Sequence, residues 1–268
     1  MQIGFVMLGA IAASIIAIIA FRLRSLSLSG AIASAVVGTI IFAIGGFSAA
    51  VLLITFFASS SLLSRLPGNE GVAIDKSPRD WKQVAANGLV PMLAMLLLAT
   101  VPRLREEATL LFLGAIATST ADTWATEIGT RFGKKTLDLT TLRVTIRGTS
   151  GGVSLTGSVA SLLGALLIGI MASVHFPYSE LCELQEIPVL QIITLAGFLG
   201  ALSDSLLGSG LQGKFACSVC ETHTEEHYHC GQRTILKRGF SFFSNNKINL
   251  ISSLIGAIIC LYLLDFVK

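Results

Sequence analysis

The sequence predicts an all-α polytopic membrane protein, a bundle of about eight transmembrane helices with an internal duplication. Three observations carry that prediction. Mean hydropathy is +0.76, and only 13% of residues are charged against 53% hydrophobic; a soluble domain holds about 25% charged residues. Eight apolar runs are long enough to cross a bilayer. Sixteen of the 19 Lys and Arg fall on alternate connections between those runs. One bundle uses the whole chain, 1–268, as a single transmembrane domain.

The runs are Ile3–Phe21, Ser29–Gly45, Phe47–Leu63, Val84–Val101, Ala108–Gly129, Gly152–Val174, Val189–Gly210 and Ile248–Val267. No basic segment precedes the first, which therefore reads as a retained span rather than a cleaved signal. The second and third form one apolar stretch. At 1.5 Å per residue it would reach about 50 Å, too long for one crossing. Gly45-Gly46 is the expected turn.

Counted this way, the odd-numbered connections share one side. They hold Arg22 and Arg24; Arg65, Lys76, Arg79 and Lys82; Arg131, Lys134, Lys135, Arg143 and Arg147; and Lys214, Arg233, Lys237, Arg238 and Lys247. The other side has Arg103, Arg105 and Lys268. The positive-inside rule makes the odd connections cytoplasmic, and both termini and the loop after Val174 external.

The chain also repeats itself. VASLLGALL at 159–167 matches ISSLIGAII at 251–259, and DTWATEIG at 122–129 is echoed by DSLLGSGL at 204–211. This marks 108–175 and 189–267 as two helix–loop–helix modules. Each runs from an acid near a helix end, through a cytoplasmic loop, into a helix of small residues. Such helices pack closely in membranes for their own reasons; the repeated acid is harder to explain by packing.

Asp122 and Glu127 stand inside an apolar run, where ionisable groups are costly and mark a functional site with a partner. Carboxylates at a helix C-terminus suit Mg2+, a hard cation that takes oxygen ligands and bridges to phosphates. The basic loop then closes on Gly148, Thr149, Gly151 and Gly152, expected to open the next helix, where free N–H groups favour an anion. The order describes a metal–phosphate site at a membrane surface. The alternative is a polar turn with snorkelling ends. Asp122 and Glu127 sit about 140° apart on a helix of period 3.6. Both reach one metal only if the helix frays or a second helix completes the site.

Lys82 and Asn87, in KSPRDWKQVAANG, would bring a cation and an amide to the same side. The alternative is an interfacial anchor beside Trp81. In the second module the counterparts are Asp204, Ser205 and Gln212, with Asn246 and Asn249 opening the last span. The loop 211–247 contains CSVCETHTEEHYHC, in which Cys217 and Cys220 form a C-x2-C knuckle upstream of His229 and Cys230. Three thiolates and one imidazole fit a structural, tetrahedral Zn2+. Free thiols are the alternative; a disulfide is disfavoured on a reducing cytoplasmic face.

ADTWATEIGT, RGTSGGVSLTG, LSDSLLGSGLQ and CSVC…HC…RGF…NNKIN, with RDWKQVAANG upstream, occur in order over nearly the whole chain. In these landmarks the sequence resembles the integral membrane family that includes plant phytyl-phosphate kinase. It is more distantly similar to phytol kinase, dolichol kinase and CDP-archaeol synthase. The resemblance implies phosphoryl transfer from CTP or another nucleoside triphosphate to an isoprenyl monophosphate such as phytyl phosphate. The product would be a prenyl diphosphate of the kind that feeds tocopherol and phylloquinone synthesis.

On this reading Asp122, Glu127 and Asp204 are catalytic and hold Mg2+. Arg131, Lys134, Lys135, Arg147, Gly148, Thr149, Gly151 and Gly152 contact phosphate, and Lys82, Asn87, Ser205, Gln212, Asn246 and Asn249 complete the nucleotide site. Asn246 stands where the family often has Asp. No Walker A segment is present, so the site is not a P-loop. Expected partners are a prenyl phosphate lipid, a nucleoside triphosphate and membrane lipids, with no nucleic acid. The expected location is a prokaryotic inner membrane, or a cyanobacterial or plastid membrane, with the active site on the cytoplasmic face. The competing functions are a CTP-dependent cytidylyltransferase, a lipid-alcohol kinase, and a transporter using intramembrane acids.

Overall fold

The computed structural model describes residues 3–67, 77–176 and 189–267. The described chain is mostly helical: α1 Ile3–Arg22, α2 Leu28–Leu63, α3 Trp81–Thr100, α4 Arg105–Phe132, α5 Leu155–His175, α6 Val189–Gly210 and α7 Asn245–Val267. All of these except α4 are long and apolar enough to cross a membrane, six in number among the described residues. Lys76 and the connection 177–188, assigned above to opposite sides, lie outside the described residues.

The long α2 is broken at Gly46, whose φ of 63° and ψ of −154° are not helical. A straight helix of its 36 residues would hold its ends about 54 Å apart. Instead Arg65, just past its end, donates to Leu23 O at 3.0 Å and to Ser25 Oγ at 2.9 Å, just before its start. Phe57 packs into the same apolar cluster as Ala31 and Ala35. The chain therefore doubles back at Gly46, where only glycine takes a positive φ without steric penalty. This is the turn expected from the length of the apolar stretch.

The helix α4 runs through the middle of the bundle, touching α3, α5, α6 and α7. From Ala108 to Ala121 every residue but Leu111 is buried. Small residues make that possible. Gly114 meets Cys260 and Gly256 of α7, Gly197 of α6 meets Ala117, and Gly164 of α5 meets Trp124 and the Thr120 carbonyl. Thr118, Thr120 and Thr123 each donate at 2.8 Å to the carbonyl four residues back, so their hydroxyls are satisfied within the helix. A helix enclosed by other helices needs no lipid-compatible surface. That is why α4 can carry its acids and hydroxyls.

Four helix starts differ from the expected spans by three residues: α3, α4 and α7 begin early and α5 begins late. The helix α3 begins early because Asp80 and Gln83 form a capping box, with Gln83 N to Asp80 Oδ1 at 3.0 Å and Asp80 N to Gln83 Oε1 at 3.2 Å. The helix α5 begins late, at the N-cap Ser154, because the residues before it are a strand.

That strand belongs to a feature the all-α expectation did not contain. The connection after α4 holds β1 Thr136–Asp138, β2 Val144–Thr145 and β3 Gly152–Ser154, an antiparallel sheet in the order β2-β1-β3. The connection after α6 holds β4 Lys214–Ala216, β5 His223–Thr224, β6 Tyr228–His229, β7 Gln232–Arg233 and β8 Ile235–Arg238. Its main sheet has the order β5-β4-β8, with β6 and β7 as a separate hairpin. The two sheets share one plan. The strand leaving the acid-bearing helix is central, and the strand entering the next helix is an edge.

Both sheets, the α1–α2 turn and the connection after α2 lie at one end of the bundle, around one cavity. At the other end Ser48 Oγ donates to the His175 carbonyl at 2.6 Å, and Phe47 meets the His175 ring edge-on at 5.9 Å.

Candidate functional site

The cavity at the loop-bearing end has a volume of about 1010 Å³. Its wall is built from the end of α2, the start of α3, the C-terminal half of α4, both sheet connections, the start of α5, the end of α6 and the start of α7. Of the residues singled out in the sequence, Lys82, Asn87, Asp122, Glu127, Arg131, Gly148, Thr149, Gly151, Gly152, Asp204, Ser205, Gln212, Asn246 and Asn249 line it. Lys134 and Lys135 are exposed outside its lining. Arg147 is also outside, with Nη1 on the Gly133 carbonyl at 3.2 Å.

Asp122 of α4 and Asp204 of α6 share this wall and lie close enough to interact electrostatically. Asp204 is buried, and Ser252 Oγ donates to its Oδ2 at 2.8 Å. With its amide oriented so that the nitrogen faces these acceptors, Asn249 donates to the same oxygen at 3.2 Å and to Asn245 O at 2.8 Å. Asn249, expected to contact a nucleotide, instead steadies a carboxylate. Asn87 lines the cavity while its Nδ2 is held by the Gln83 carbonyl at 3.1 Å.

Glu127 does not join the two aspartates. The helix α4 stays helical through Phe132, so the fraying that would bring Asp122 and Glu127 to one metal does not occur. Ser64 Oγ donates to Glu127 Oε1 at 2.5 Å, and Arg131 Nη1 is ion-paired to Oε2. Arg131 is almost fully buried, at 1% exposure. It also donates to the carbonyls of Leu66 at 3.1 Å, Ser64 at 2.9 Å and Glu127 at 2.9 Å. The residue expected to meet phosphate is a clamp that ties the end of α2 to α4.

The glycine run is corrected too. Gly148 and Gly151 have φ of 79° and 75° and form turns, and Gly152 pairs with Asp138 between β3 and β1. The Thr149 and Gly152 N–H groups already donate to Ile146 O at 3.2 Å and Thr149 O at 2.9 Å. The helix N-terminus lies beyond them, where Ser154 Oγ accepts from Gly157 N at 3.1 Å. A Cβ at Gly151 would collide with Ser209 of α6, so this glycine allows the first sheet to sit against α6.

Several wall residues were missed in the sequence. Arg65 and Arg79 line the rim, with Arg79 Nη2 3.3 Å from Ser64 Oγ. Burial pulls the Arg79 guanidinium below its usual range, and the Glu127 charge works against that shift. Both arginines stand on the basic side by charge parity, which was the available signal. Glu225 also faces the cavity. It is open to that space yet enclosed by protein, and the enclosure pushes its carboxyl above the usual carboxylate range, with Lys214 opposing. Gln212 is buried, with Oε1 accepting from Ser150 Oγ at 2.5 Å. Its Nε2 has no hydrogen bond of ordinary geometry, although it lies close enough to Glu225 to favour that carboxylate.

Behind the wall, Asp138 of β1 joins the two connections. Its Oδ1 accepts from Thr140 N, Thr141 N, Thr141 Oγ1 and Ser209 Oγ at 2.7–3.1 Å. Its Oδ2 accepts from Arg238 Nη1 at 2.8 Å, with Lys214 Nζ at 3.9 Å. Burial alone would raise this carboxyl; the bonds from Ser209, Thr141 and Arg238 outweigh it and hold it well below the usual range.

Cys217, Cys220, His229 and Cys230 lie beside the cavity rather than in its lining, with their ligand atoms all within 4.8 Å of one another.

Comparison with known proteins gives one matching family, described as integral membrane protein DUF92, over residues 11–257. An uncharacterized membrane protein of Methanocaldococcus jannaschii is 28% identical over 247 residues, 91% of this chain and 88% of the relative. Protein PGR of Arabidopsis thaliana is 28% identical over 266 residues, 91% of each chain. The chloroplastic protein VTE6 of Arabidopsis thaliana is 28% identical over 158 residues, 58% of this chain and 38% of the relative. No solved structure matches.

Proposed function

The chain belongs to the integral membrane family DUF92, and from that premise we propose that it transfers a phosphoryl group from CTP or another nucleoside triphosphate to an isoprenyl monophosphate such as phytyl phosphate. The observation that carries the reading is the approach of Asp122 of α4 and Asp204 of α6 in one polar cavity at the basic end of the bundle. Two carboxylates meeting opposite cationic side chains suit a metal-bound polyphosphate better than a bare cation or a bare anion. The limbs of α2 and the enclosed α4 are read as crossings, which gives eight spans and puts the cavity on the cytoplasmic face.

Carboxylate oxygens are hard donors, and both hydrogen bonds described for Asp204 fall on Oδ2, so the pair fits Mg2+. The metal would neutralise charge on the nucleotide phosphates. The remaining work falls to this chain. Arg65, Arg79 and Lys82 at the rim offset the charge of two phosphorylated substrates. A terminal oxygen of the lipid monophosphate attacks the γ-phosphorus. The bond from that phosphorus to the β–γ bridging oxygen breaks, and the nucleoside diphosphate leaves. The prenyl tail lies along the helices, away from the loops. Glu127 and Arg131 keep the end of α2 against α4 and take no part in binding phosphate.

The test is to incubate the purified protein with labelled CTP, Mg2+ and a panel of prenyl alcohols and monophosphates, and to weigh the products. A prenyl diphosphate supports the reading. A CDP-lipid makes the protein a cytidylyltransferase, phosphorylation of the alcohol makes it a lipid-alcohol kinase, and no covalent product with any nucleotide overturns it.

A further inference from the structure

The second connection carries a group of side chains that phosphoryl transfer does not use. Cys220 Sγ and Cys230 Sγ are 3.7 Å apart, and His229 Nδ1 is 3.4 Å from the first and 3.3 Å from the second. Cys217 completes the group within 4.8 Å. In a tetrahedron with arms of about 2.3 Å to sulfur and 2.0 Å to nitrogen, the edges are about 3.8 Å between sulfurs and about 3.5 Å from sulfur to nitrogen. The three separations among Cys220, His229 and Cys230 lie close to those edges, and Cys217 stands within 4.8 Å to supply the fourth corner. A disulfide would use two of the four groups and leave a thiol and an imidazole unexplained.

The backbone is shaped to the same end. Val219 N points at Cys217 Sγ at 3.4 Å, the kind of outer contact that orients a thiolate ligand. Glu221 and Cys230 take positive φ, 58° and 51°, a region that residues with side chains rarely enter. Both positions adjoin or belong to the cluster, and such backbone persists where its surroundings over-determine it.

The stretch between the second and third ligands reaches the cavity. Glu225, Glu226 and His227 are part of its wall. They are tethered by Thr234, whose N donates to His227 O at 3.0 Å and whose Oγ1 donates to Glu226 O at 2.7 Å, and by the His227 ring edge-on to Phe215 at 4.7 Å. The strands here are two residues long, and Val219 and Tyr228 are exposed. Strands that short, with so little apolar burial, do not hold a shape unaided.

We propose that Cys217, Cys220, His229 and Cys230 bind one Zn2+, and that this metal is the staple that keeps the Glu225–His227 wall against the cavity. The assignment of the metal is independent of the phosphoryl-transfer reading, and the experiment reads no turnover. Full-length protein purified without chelator is analysed for metal, and its loop is probed with trypsin at Arg233 and Lys237. The expected result is about one zinc per chain, displaceable by Co2+ with thiolate-to-metal charge-transfer absorption. Cys220→Ala/Cys230→Ala loses the zinc, whereas Glu225→Gln keeps it. Removing the metal raises the rate of cleavage at the two basic residues at least tenfold. Protein without stoichiometric zinc, or a double variant that retains it, overturns the metal site. Equal cleavage with and without zinc overturns the staple.

Discussion

Arg238 Nη1 donates to Asp138 Oδ2 at 2.8 Å across 100 residues of sequence, and so ties the last strand of the second connection to the first strand of the first. Ser209, at the end of α6, donates to the other oxygen at 2.7 Å. One carboxylate thereby fixes three parts of the cavity's frame. Asp138→Asn should leave Arg238 and Lys214 facing each other without an anion and lower the melting temperature by roughly 5 °C at neutral pH.

The same carboxyl sets an acid limit. It is depressed in the folded protein, so its stabilisation is fully present above the unfolded carboxylate value of about 4 and is lost as pH falls below it. Melting curves from pH 7 to pH 3 should show the native protein losing more stability on acidification than Asp138→Asn. Parallel curves would mean that the clasp contributes nothing.

Arg131 should behave as a structural residue. Its guanidinium is buried among three carbonyls and Glu127. Removing one partner of a buried pair costs about 3–5 kcal/mol, so Arg131→Ala and Glu127→Gln should each sharply reduce thermal stability. The double variant should fall short of the sum, because the two act as one unit. If Arg131→Ala keeps its melting point and loses only nucleotide affinity, the phosphate role read from the sequence returns.

What the sequence disclosed follows from which properties are one-dimensional. Apolar length and the Gly45-Gly46 break placed the apolar helices and the fold-back of α2. Charge parity placed the four basic connections at one end. The acids Asp122 and Asp204 stood out because their surroundings are apolar. The roles of Glu127, Arg131 and Asn249 were not legible, since each depends on a partner far away in sequence or on a helix face. Ser64 lies 63 residues from Glu127, and Ser252 lies 48 from Asp204. The strands escaped notice because runs of two or three residues carry no period. Of the glycines read as a helix start, Gly148 and Gly151 proved to be turns and Gly152 a strand residue whose N–H is satisfied locally.

Membrane orientation is a separate prediction. The basic connections at the cavity end should face the cytoplasm. In a background without other reactive cysteines, Leu142→Cys, on the exposed first sheet connection, should be labelled only after the cytoplasmic side is opened to reagent. Arg103→Cys, at the opposite end, should be labelled in intact cells. The reverse pattern would place the cavity outside, away from cytoplasmic nucleotides, and remove the kinase reading on supply alone.

The last prediction tests the pair on which the proposed function rests. Asp122→Asn and Asp204→Asn keep side-chain shape and remove one charge each. If both carboxylates hold Mg2+ for the transferring phosphates, either change leaves the polyphosphate charge less compensated. Turnover should fall by about a hundredfold or more. The two changes should not add, because a site built from one residue of α4 and one of α6 fails when either is missing. Stability should move the other way. Two acids facing each other without metal repel, so each variant should melt no lower than the native protein in the absence of Mg2+. Added Mg2+ should raise the melting point of the native protein and of neither variant. Near-normal turnover in Asp204→Asn, with the Mg2+ stabilisation intact, would show that the two acids do not share a metal.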